Sequence, residues 1–182
     1  AHAAIDPTLL KPLAGDDPDA RIEAVVRLAA LANDDARKVL QALKDDSLYA
    51  TPEGDVLVVT DDSAWNPATG ATGPMPDGID GVVVNNRLRG AVDGALSGMA
   101  LLSPDVAQRR AAAEALLERG VSPEQLLLVT KALAVETDAG IRATLQSAKA
   151  VADLQSPDAA VRKAAVLALA DTGTASLRPQ LQ

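Results

Sequence analysis

Side chains that commonly carry catalysis or hold a metal are scarce in this sequence. It has no cysteine and one histidine, His2, at the start of the chain, where termini are seldom held in place. A zinc site needs several cysteine or histidine ligands, and a general base must be held within hydrogen-bonding reach of its substrate. No phosphate-binding loop, dinucleotide fingerprint or nucleophile elbow occurs either. The sequence therefore predicts a protein that is not an enzyme, with no metal and no cofactor.

Three of the pairs of adjacent acids are candidates for a cation site. They are Asp16-Asp17, Asp45-Asp46 and Asp61-Asp62. A dedicated calcium loop places its oxygen ligands at alternate positions and ends on a glutamate. Because none of the pairs has that spacing, we interpret them as solvated turns.

Trp65 is the only tryptophan, and it lies in a segment rich in turn residues. A large aromatic side chain buries much area, which favours a lid over a small sheet. A platform on which a ligand stacks is the alternative.

Composition indicates the class of protein. Hydrophobic residues make up 48 % of the chain but aromatic residues only 1 %, which is typical of closely packed helices rich in alanine and leucine. The net charge of −8 disfavours binding to nucleic acid or to anionic lipid. No apolar run reaches the length of a membrane span, so we expect no membrane insertion of this segment.

Three segments follow one another along the chain, and we expect them to form one compact domain. Residues 1–46 are predicted to be N-terminal helices, because Asp6-Pro7 and Asp17-Pro18 each place a capping acid before a proline. Residues 47–84 are predicted to be a β-rich insertion with mainly local contacts. Residues 85–182 are predicted to be HEAT-like helical repeats.

Within the β-rich insertion, two short apolar runs flank Pro52-Glu53-Gly54, which is a hairpin signal. Residues 61–81 are dense in glycine, proline, asparagine and aspartate and are interpreted as turn and loop. Val82-Val83-Val84 is a candidate for a strand that closes a small sheet.

The helical segment contains a repeat: LLSPDVAQRRAAAEALLERG, residues 101–120, returns as LQSPDAAVRKAAVLALADTG, residues 154–173. Each copy is expected to begin with a serine N-cap and to end at a glycine, with Asp–Arg pairs at i,i+4 along its surface. A weaker copy begins at Thr137. The predicted caps and ends are Ser103, Ser156, Gly120 and Gly173. The predicted ladder of acids and arginines is Asp105–Arg109, Asp138–Arg142 and Asp158–Arg162.

One face of these repeats is expected to be buried. The corresponding positions are Ala112, Ala115 and Leu116 in the first copy and Ala165, Ala168 and Leu169 in the last. Ser122-Pro123-Glu124-Gln125 is a capping box that opens a partner helix. A ladder of helices, about two per unit, predicts a mainly α fold: a HEAT-like α-solenoid of helix pairs with a small β-rich insertion.

The stretch Asn85-Asn86-Arg87-Leu88-Arg89 contains a feature that helix energetics do not explain. Asn86 is predicted to cap a helix that begins at Arg87, but arginines in a first turn oppose the helix dipole. An acidic partner is therefore expected. It is either internal, with Asp77, Asp80 and Asp93 as candidates, or it belongs to another protein.

The stretch VVVNNRLRGAVDGALSGMALLSPDVAQRRAAAEALLERG resembles the extracytoplasmic N-terminal domain of bacterial urea ABC transporter permeases of the UrtB type. SLYATPEGDVLVVTDDSAWNPATG, just upstream, is similar to the β insertion of that family. The resemblance covers the chain from about Ser47 to Leu181, and it implies a helical, repeat-bearing domain that precedes a transmembrane permease. The start Ala1-His2-Ala3-Ala4 resembles what remains after signal-peptide cleavage, and a tag remnant is an equal alternative.

These features together predict a periplasmic domain of an inner-membrane urea transporter. Its expected work is docking or positioning, with the transmembrane part of the same permease or the periplasmic urea-binding protein as partner. Two alternatives stay open: a free-standing HEAT-like scaffold, and a small-ligand-binding domain with its site in the β insertion.

Overall fold

The computed structural model describes the backbone of residues 4–177 and the side chains of residues 4–170. Over that range the chain is mainly helical, with eight α-helices and one antiparallel sheet of five strands. The helices are α1 (Pro7–Ala14), α2 (Pro18–Leu31), α3 (Asp34–Lys44), α4 (Asn86–Met99), α5 (Val106–Arg119), α6 (Leu126–Val135), α7 (Ala139–Asp153) and α8 (Ala159–Leu177). The strands are β1 (Leu48–Ala50), β2 (Val56–Thr60), β3 (Ser63–Trp65), β4 (Thr72–Pro74) and β5 (Asp80–Gly81). His2 lies outside the described residues.

The chain divides into two compact units, Ala1–Met99 and Ala100–Gln182. This division differs from the expected single domain, and its boundary lies inside the segment predicted as helical repeats. The reason is the packing of α4, which contacts α2 and α3. Its buried stripe, Leu88, Val92 and Met99, therefore belongs to the core of the N-terminal unit.

The helices of the N-terminal unit begin where capping side chains satisfy their first amides. Asp6 Oδ1 accepts from the Thr8 amide at 2.8 Å, and Asp17 Oδ1 accepts from the Asp19 amide at 2.9 Å. Both predicted caps are confirmed, each with proline at the start of the helix. The side chain of Asn33 caps α3 in the same way. The buried face of α3 includes Val39, Leu40 and Leu43.

The sheet has the strand order β4-β3-β2-β1-β5, and every neighbouring pair is antiparallel. The hairpin around Pro52-Glu53-Gly54 is confirmed, with Ala50 paired to Val56 beside the turn. The interpretation of residues 61–81 as turn and loop is wrong for three short stretches, since they form β3, β4 and β5. Strands of two or three residues are too short to show an alternating pattern, so their neighbours define them.

The closing strand is also displaced from its predicted position. Asp80–Gly81 pairs with β1, whereas Val82-Val83-Val84 lies just beyond it. The amide of Val82 still donates to the carbonyl of Leu48 at 2.9 Å, which continues the contact between the two segments by one residue.

The sheet does not make mainly local contacts, so that expectation is wrong. Strand β2 packs against α1 and α3, and β1 packs against α3. Its apolar side chains at Leu48, Val56 and Leu57 are buried. The Ile5 amide also donates to the Pro67 carbonyl at 2.9 Å, which ties the start of the described chain to the loop after β3. The sheet thus contributes to the core of the N-terminal unit.

The C-terminal unit is built on α7, which packs against α5, α6 and α8. A 3₁₀ turn, Ala100–Leu102, precedes α5 and contacts it and α6. The unit's apolar core is composed of Leu101, Ala113, Leu116, Val129, Ala132, Ile141, Leu145 and Ala148.

The predicted serine caps of the repeat are displaced by two residues. Asp105 is the N-cap of α5, and its Oδ1 accepts from the Ala107 amide at 2.8 Å. Asp158 Oδ1 likewise accepts from the Ala160 amide at 2.7 Å. Ser103 and Ser156 instead accept from the amides of these aspartates, forming the turn before the helix. Each serine hydroxyl is used in the turn, and the aspartate that follows takes the cap.

The ends and the buried faces of the two copies also differ. Gly120 ends α5 with a φ of 88°, as a glycine permits, whereas Gly173 lies inside α8. Leu116 is buried, but Leu169 is half-buried and Ala168 is exposed. The prediction of a common buried face is therefore wrong for α8 at these two positions, although Ala165 is buried.

Candidate functional site

The three arginines of the predicted ladder share one hydrogen-bonding pattern. Each donates to the backbone carbonyl six residues before it: Arg109 to Ser103 at 3.0 Å, Arg162 to Ser156 at 2.8 Å, and Arg142 to Glu136. Arg109 and Arg162 also donate to the carbonyl five residues before, at 3.2 Å and 2.9 Å. A guanidinium has five donors in a rigid fork, which suits it to such adjacent acceptors. Each arginine therefore fastens the turn that precedes its own helix.

Arg109 has an additional partner that the sequence pattern did not reveal. Its Nε is 2.8 Å from Glu136 Oε2, and its Nη2 is 3.2 Å from Glu136 Oε1. The side chain of Glu136 is 1 % exposed and that of Arg109 is 16 % exposed. The interpretation of Arg109 as half of a surface pair with Asp105 is wrong, because its guanidinium binds Glu136 instead.

Glu136 joins three elements of the C-terminal unit. Besides Arg109, its Oε1 accepts from the amides of Thr137 and Asp138, both at 2.9 Å. The hydrogen bonds from Arg109, followed by those from the two amides, lower the pKa of Glu136 to about 2 against its burial. Asp138 caps α7 by accepting from the Ile141 amide at 2.9 Å, and it receives Arg110 Nη2 at 3.1 Å. The signal that sequence reasoning missed was an acid placed two residues before a helix cap.

The Asn85-to-Arg89 motif begins α4, and its cap is Asn85 rather than Asn86. Asn85 Oδ1 accepts from the Leu88 amide at 2.9 Å, and the helix starts at Asn86. The prediction misplaced the cap by one residue because two asparagines stand side by side. Leu88, between the two arginines, is buried.

Both arginines of this motif have internal acidic partners, but not the expected ones. Arg87 Nη2 lies 2.8 Å from Asp19 Oδ1 on α2, with side chains 65 % and 80 % exposed. Arg89 Nη2 lies 3.5 Å from Asp46 Oδ1, and its Nη1 donates to the Lys44 carbonyl at 3.2 Å.

None of the three predicted acids pairs with these arginines, and one of them has another partner. Asp93 pairs with Lys44 at 2.8 Å. Asp77 lies between β4 and β5, and Asp80 is the first residue of β5; neither forms an ion pair with Arg87 or Arg89. The partners of Arg87 and Arg89 come from α2 and from the residues after α3, which tertiary packing brings beside α4.

Trp65 lies in β3 and is half-buried, and its ring lines a groove of about 500 Å³. Lys38 Nζ on α3 is 5.4 Å from the centroid of that ring. The indole thus packs under a cation from α3, and one part of it remains open to the groove. Both predicted roles, lid and platform, are compatible with this position.

A smaller cavity of about 250 Å³ lies beside α2 in the same unit. Arg21 Nη2 donates to the Val83 carbonyl at 2.6 Å, and its Nε is buried without a hydrogen-bond partner. Burial lowers the pKa of Arg21, and Asp16 opposes that effect. Arg21 joins α2 to the residues that follow β5.

Several of the paired acids have partners within the protein. Asp17 caps α2, Asp45 accepts from Gln41 Nε2 at 2.9 Å, and Asp46 faces Arg89. In the described part of the chain, no three acidic or histidine side chains cluster as metal ligands would. No helix of that part has the length and apolarity needed to cross a membrane.

Compared with protein-family models, with curated proteins and with solved structures, the chain shows no match.

Proposed function

We propose that this chain is the extracytoplasmic domain of a urea ABC transporter permease. In this proposal its helices α5 to α8 are HEAT-like repeats of an α-solenoid, and the domain lies in the periplasm as part of an inner-membrane protein. It acts by docking or positioning, with the transmembrane part of the same permease or the periplasmic urea-binding protein as partner. The domain itself catalyses no reaction.

One observation supports the docking proposal: the same hydrogen bond from an arginine to the backbone recurs at the start of α5, α7 and α8. In each case a guanidinium donates to the carbonyl six residues earlier. A unit repeated in sequence and in hydrogen bonding is typical of solenoids, whose stacked helices present extended binding surfaces. The transporter assignment depends on the resemblance around Asn85 to Arg89 and has to be tested separately.

The C-terminal unit also exposes apolar side chains on its last two helices. Val151 of α7 is 45 % exposed, and Val166 and Leu167 of α8 are 56 % and 60 % exposed. Exposed apolar side chains on two helices that pack against each other favour contact with another protein surface. They support docking by this unit.

Arg87 offers a direct test in the full-length transporter, because its ion pair is too exposed to matter for folding. Arg27 is a matched control: it is 61 % exposed and pairs with Glu23, which is 60 % exposed. We expect Arg87→Ala to lower urea uptake at normal expression and Arg27→Ala to leave uptake unchanged. The melting temperature of the purified domain should stay the same in both variants.

Two results would contradict the proposal. If Arg87→Ala leaves urea uptake unchanged, the motif from Asn85 to Arg89 does not take part in docking. If the coding sequence after Gln182 encodes no apolar membrane spans, the assignment to a permease is wrong. Direct binding of the purified chain to the urea-binding protein of the same transporter, measured by biolayer interferometry, gives the third readout.

A further inference from the structure

The groove beside Trp65 has a helix for its wall and a sheet for its floor. Lys38, Gln41 and Asp45 line the wall at positions i, i+3 and i+7 of α3, which places them on one stripe of the helix. Val58, Trp65 and Thr72 line the floor. They are paired in register across β2, β3 and β4, so their side chains share one face of the sheet.

Several polar groups of this groove are available to a ligand. Within the described residues, the hydroxyls of Thr60 and Thr72 and the indole N–H of Trp65 form no hydrogen bond to protein groups. Thr60 and Thr72 are exposed residues, and the indole N–H of the half-buried Trp65 is not a buried unsatisfied group. Gln41 Nε2 donates to Asp45 Oδ2, which leaves Asp45 Oδ1 as an open acceptor. The groove therefore presents donors and acceptors around one aromatic face.

The charges of the groove favour a neutral ligand. Lys38 and Asp45 both line it, seven residues apart on α3, which separates them by roughly 10 Å along the helix. An anion would meet Asp45 and the overall charge of −8. A purely apolar ligand would take water from Gln41 and Asp45 without replacing their hydrogen bonds.

We propose that this groove binds a neutral carbohydrate of one or two pyranose rings, stacked on Trp65. The C–H groups on the flat side of a pyranose carry partial positive charge, which matches the negative face of the indole. Its hydroxyl groups both donate and accept, as the open Asp45 oxygen and the threonine hydroxyls require. The volume of about 500 Å³ lies in the range of small-molecule sites. Urea is too small to fill it and has no apolar face.

Lys38 has to move for the ring to stack. Its ammonium lies over the indole at 5.4 Å and 3.5 Å from Asp35 Oδ1, an ion pair that the movement breaks, and its side chain is 54 % exposed. A long side chain with that exposure changes rotamer readily. Lifted from the ring, the ammonium becomes a donor to a sugar hydroxyl at the rim of the groove.

The single tryptophan makes the test direct, because all indole emission comes from Trp65. The purified protein is titrated with glucose, maltose and cellobiose, with glycerol as the hydroxyl-bearing control that lacks a ring. We expect a saturable change in emission with at least one sugar, with a Kd on the order of 1 mM. A response to all three sugars that is linear and equal to the glycerol response overturns the proposal.

Variants distinguish the groove from other surfaces. Asp45→Asn should weaken binding about tenfold by weakening the acceptor, and Thr72→Val should weaken it by a smaller factor. Asp77→Asn changes an exposed acid outside the groove and should bind like the wild type. Equal affinity of Asp45→Asn and Asp77→Asn overturns the proposal.

Trp65→Phe, with binding measured by calorimetry, should weaken binding. If this variant is poorly folded, the other two substitutions still decide. The binding proposal does not depend on the urea-transporter proposal.

Discussion

Arg109 and Glu136 form a bidentate ion pair that joins α5 to the residue after α6. Nε and Nη2 of the arginine lie 2.8 Å and 3.2 Å from the two carboxylate oxygens, and the Glu136 side chain is 1 % exposed. The same carboxylate accepts the two amides that precede α7. One side chain therefore holds α5, α6 and α7 together.

Removal of this carboxylate should cost much more stability than removal of an exposed arginine. Glu136→Ala leaves the Arg109 guanidinium without its acid and two amides without an acceptor, and we expect a loss of about 3 kcal/mol. Arg162→Ala, at an exposed position of α8, should cost less than about 1 kcal/mol. Unfolding in urea, followed by circular dichroism, compares the two. Equal losses would show that Glu136 is not a principal contact of its unit.

The same pair predicts how stability depends on pH. Hydrogen bonds from Arg109 lower the pKa of Glu136 from its ordinary value of 4.5 to about 2. A lowered pKa in the folded state means that the contribution is complete above about pH 4.5 and is lost as the pH falls toward 2. Between pH 4.5 and 2, the unfolding free energy of Glu136→Gln should therefore decrease less with falling pH than that of the wild type. Glu53→Gln, an exposed turn residue, should keep the wild-type slope, and a parallel change in both variants would refute the assignment.

The cap of α4 can be assigned by comparing two adjacent asparagines. Asn85 accepts from the Leu88 amide, so Asn85→Ala should cost about 1 kcal/mol. Asn86 is the first residue of the helix, and Asn86→Ala should cost a few tenths of that or improve stability, because alanine favours helix. Thermal melts of the two variants give the order. The reverse order would place the cap at Asn86, as the sequence alone suggested.

Equivalent leucines of the two repeat copies should differ in their contribution to stability. Leu116 is 6 % exposed in the core of the C-terminal unit, and Leu116→Ala should cost about 2–4 kcal/mol. Leu169 is only half-buried, so Leu169→Ala should cost less than half as much. Urea unfolding measures both. Equal costs would mean that α8 is packed as closely as α5.

Removal of the sheet should destabilise the N-terminal unit. Replacement of residues 50–81 by a short glycine-serine linker removes buried Val56, Leu57 and Ala64 from contact with the rest of that unit. Strand β2 packs against α1 and α3, so we expect these helices to lose cooperative folding. The measurement is helical circular dichroism during thermal melting. An unchanged melting curve would show that the sheet is an independent insertion.

The sequence predicted best where the determining interaction is local. Asp6 and Asp17 cap their helices because a short polar side chain next to a helix start reaches the amides two or three residues on. The capping box at Ser122 and Gln125 is confirmed for the same reason, with the Ser122 amide donating to Gln125 Oε1 at 3.0 Å. Where two candidates stood side by side or two apart, as at Asn85 and Asn86, local pattern could not choose between them.

Partners that lie far apart in the sequence could not be predicted. Arg87 meets Asp19 across 68 positions, and Arg109 meets Glu136 across 27. Each arginine has several acids within reach of an unfolded chain, and only the packing of the helices decides which one it meets. The groove at Trp65 likewise needs α3 and three strands in place before Lys38, Asp45 and Thr72 face one another.

The sequence by itself therefore determined the mainly helical character, the starts of α1 and α2, the hairpin and the repeated arginine spacing, because all of these depend on residues a few positions apart. Tertiary structure alone decided that α4 packs with α2 and α3, that the short strands join one sheet, and that Glu136 is the buried partner of Arg109. The reason is physical: capping and periodicity act within one or two turns of helix, whereas ion-pair choice, strand register and burial depend on which surfaces meet.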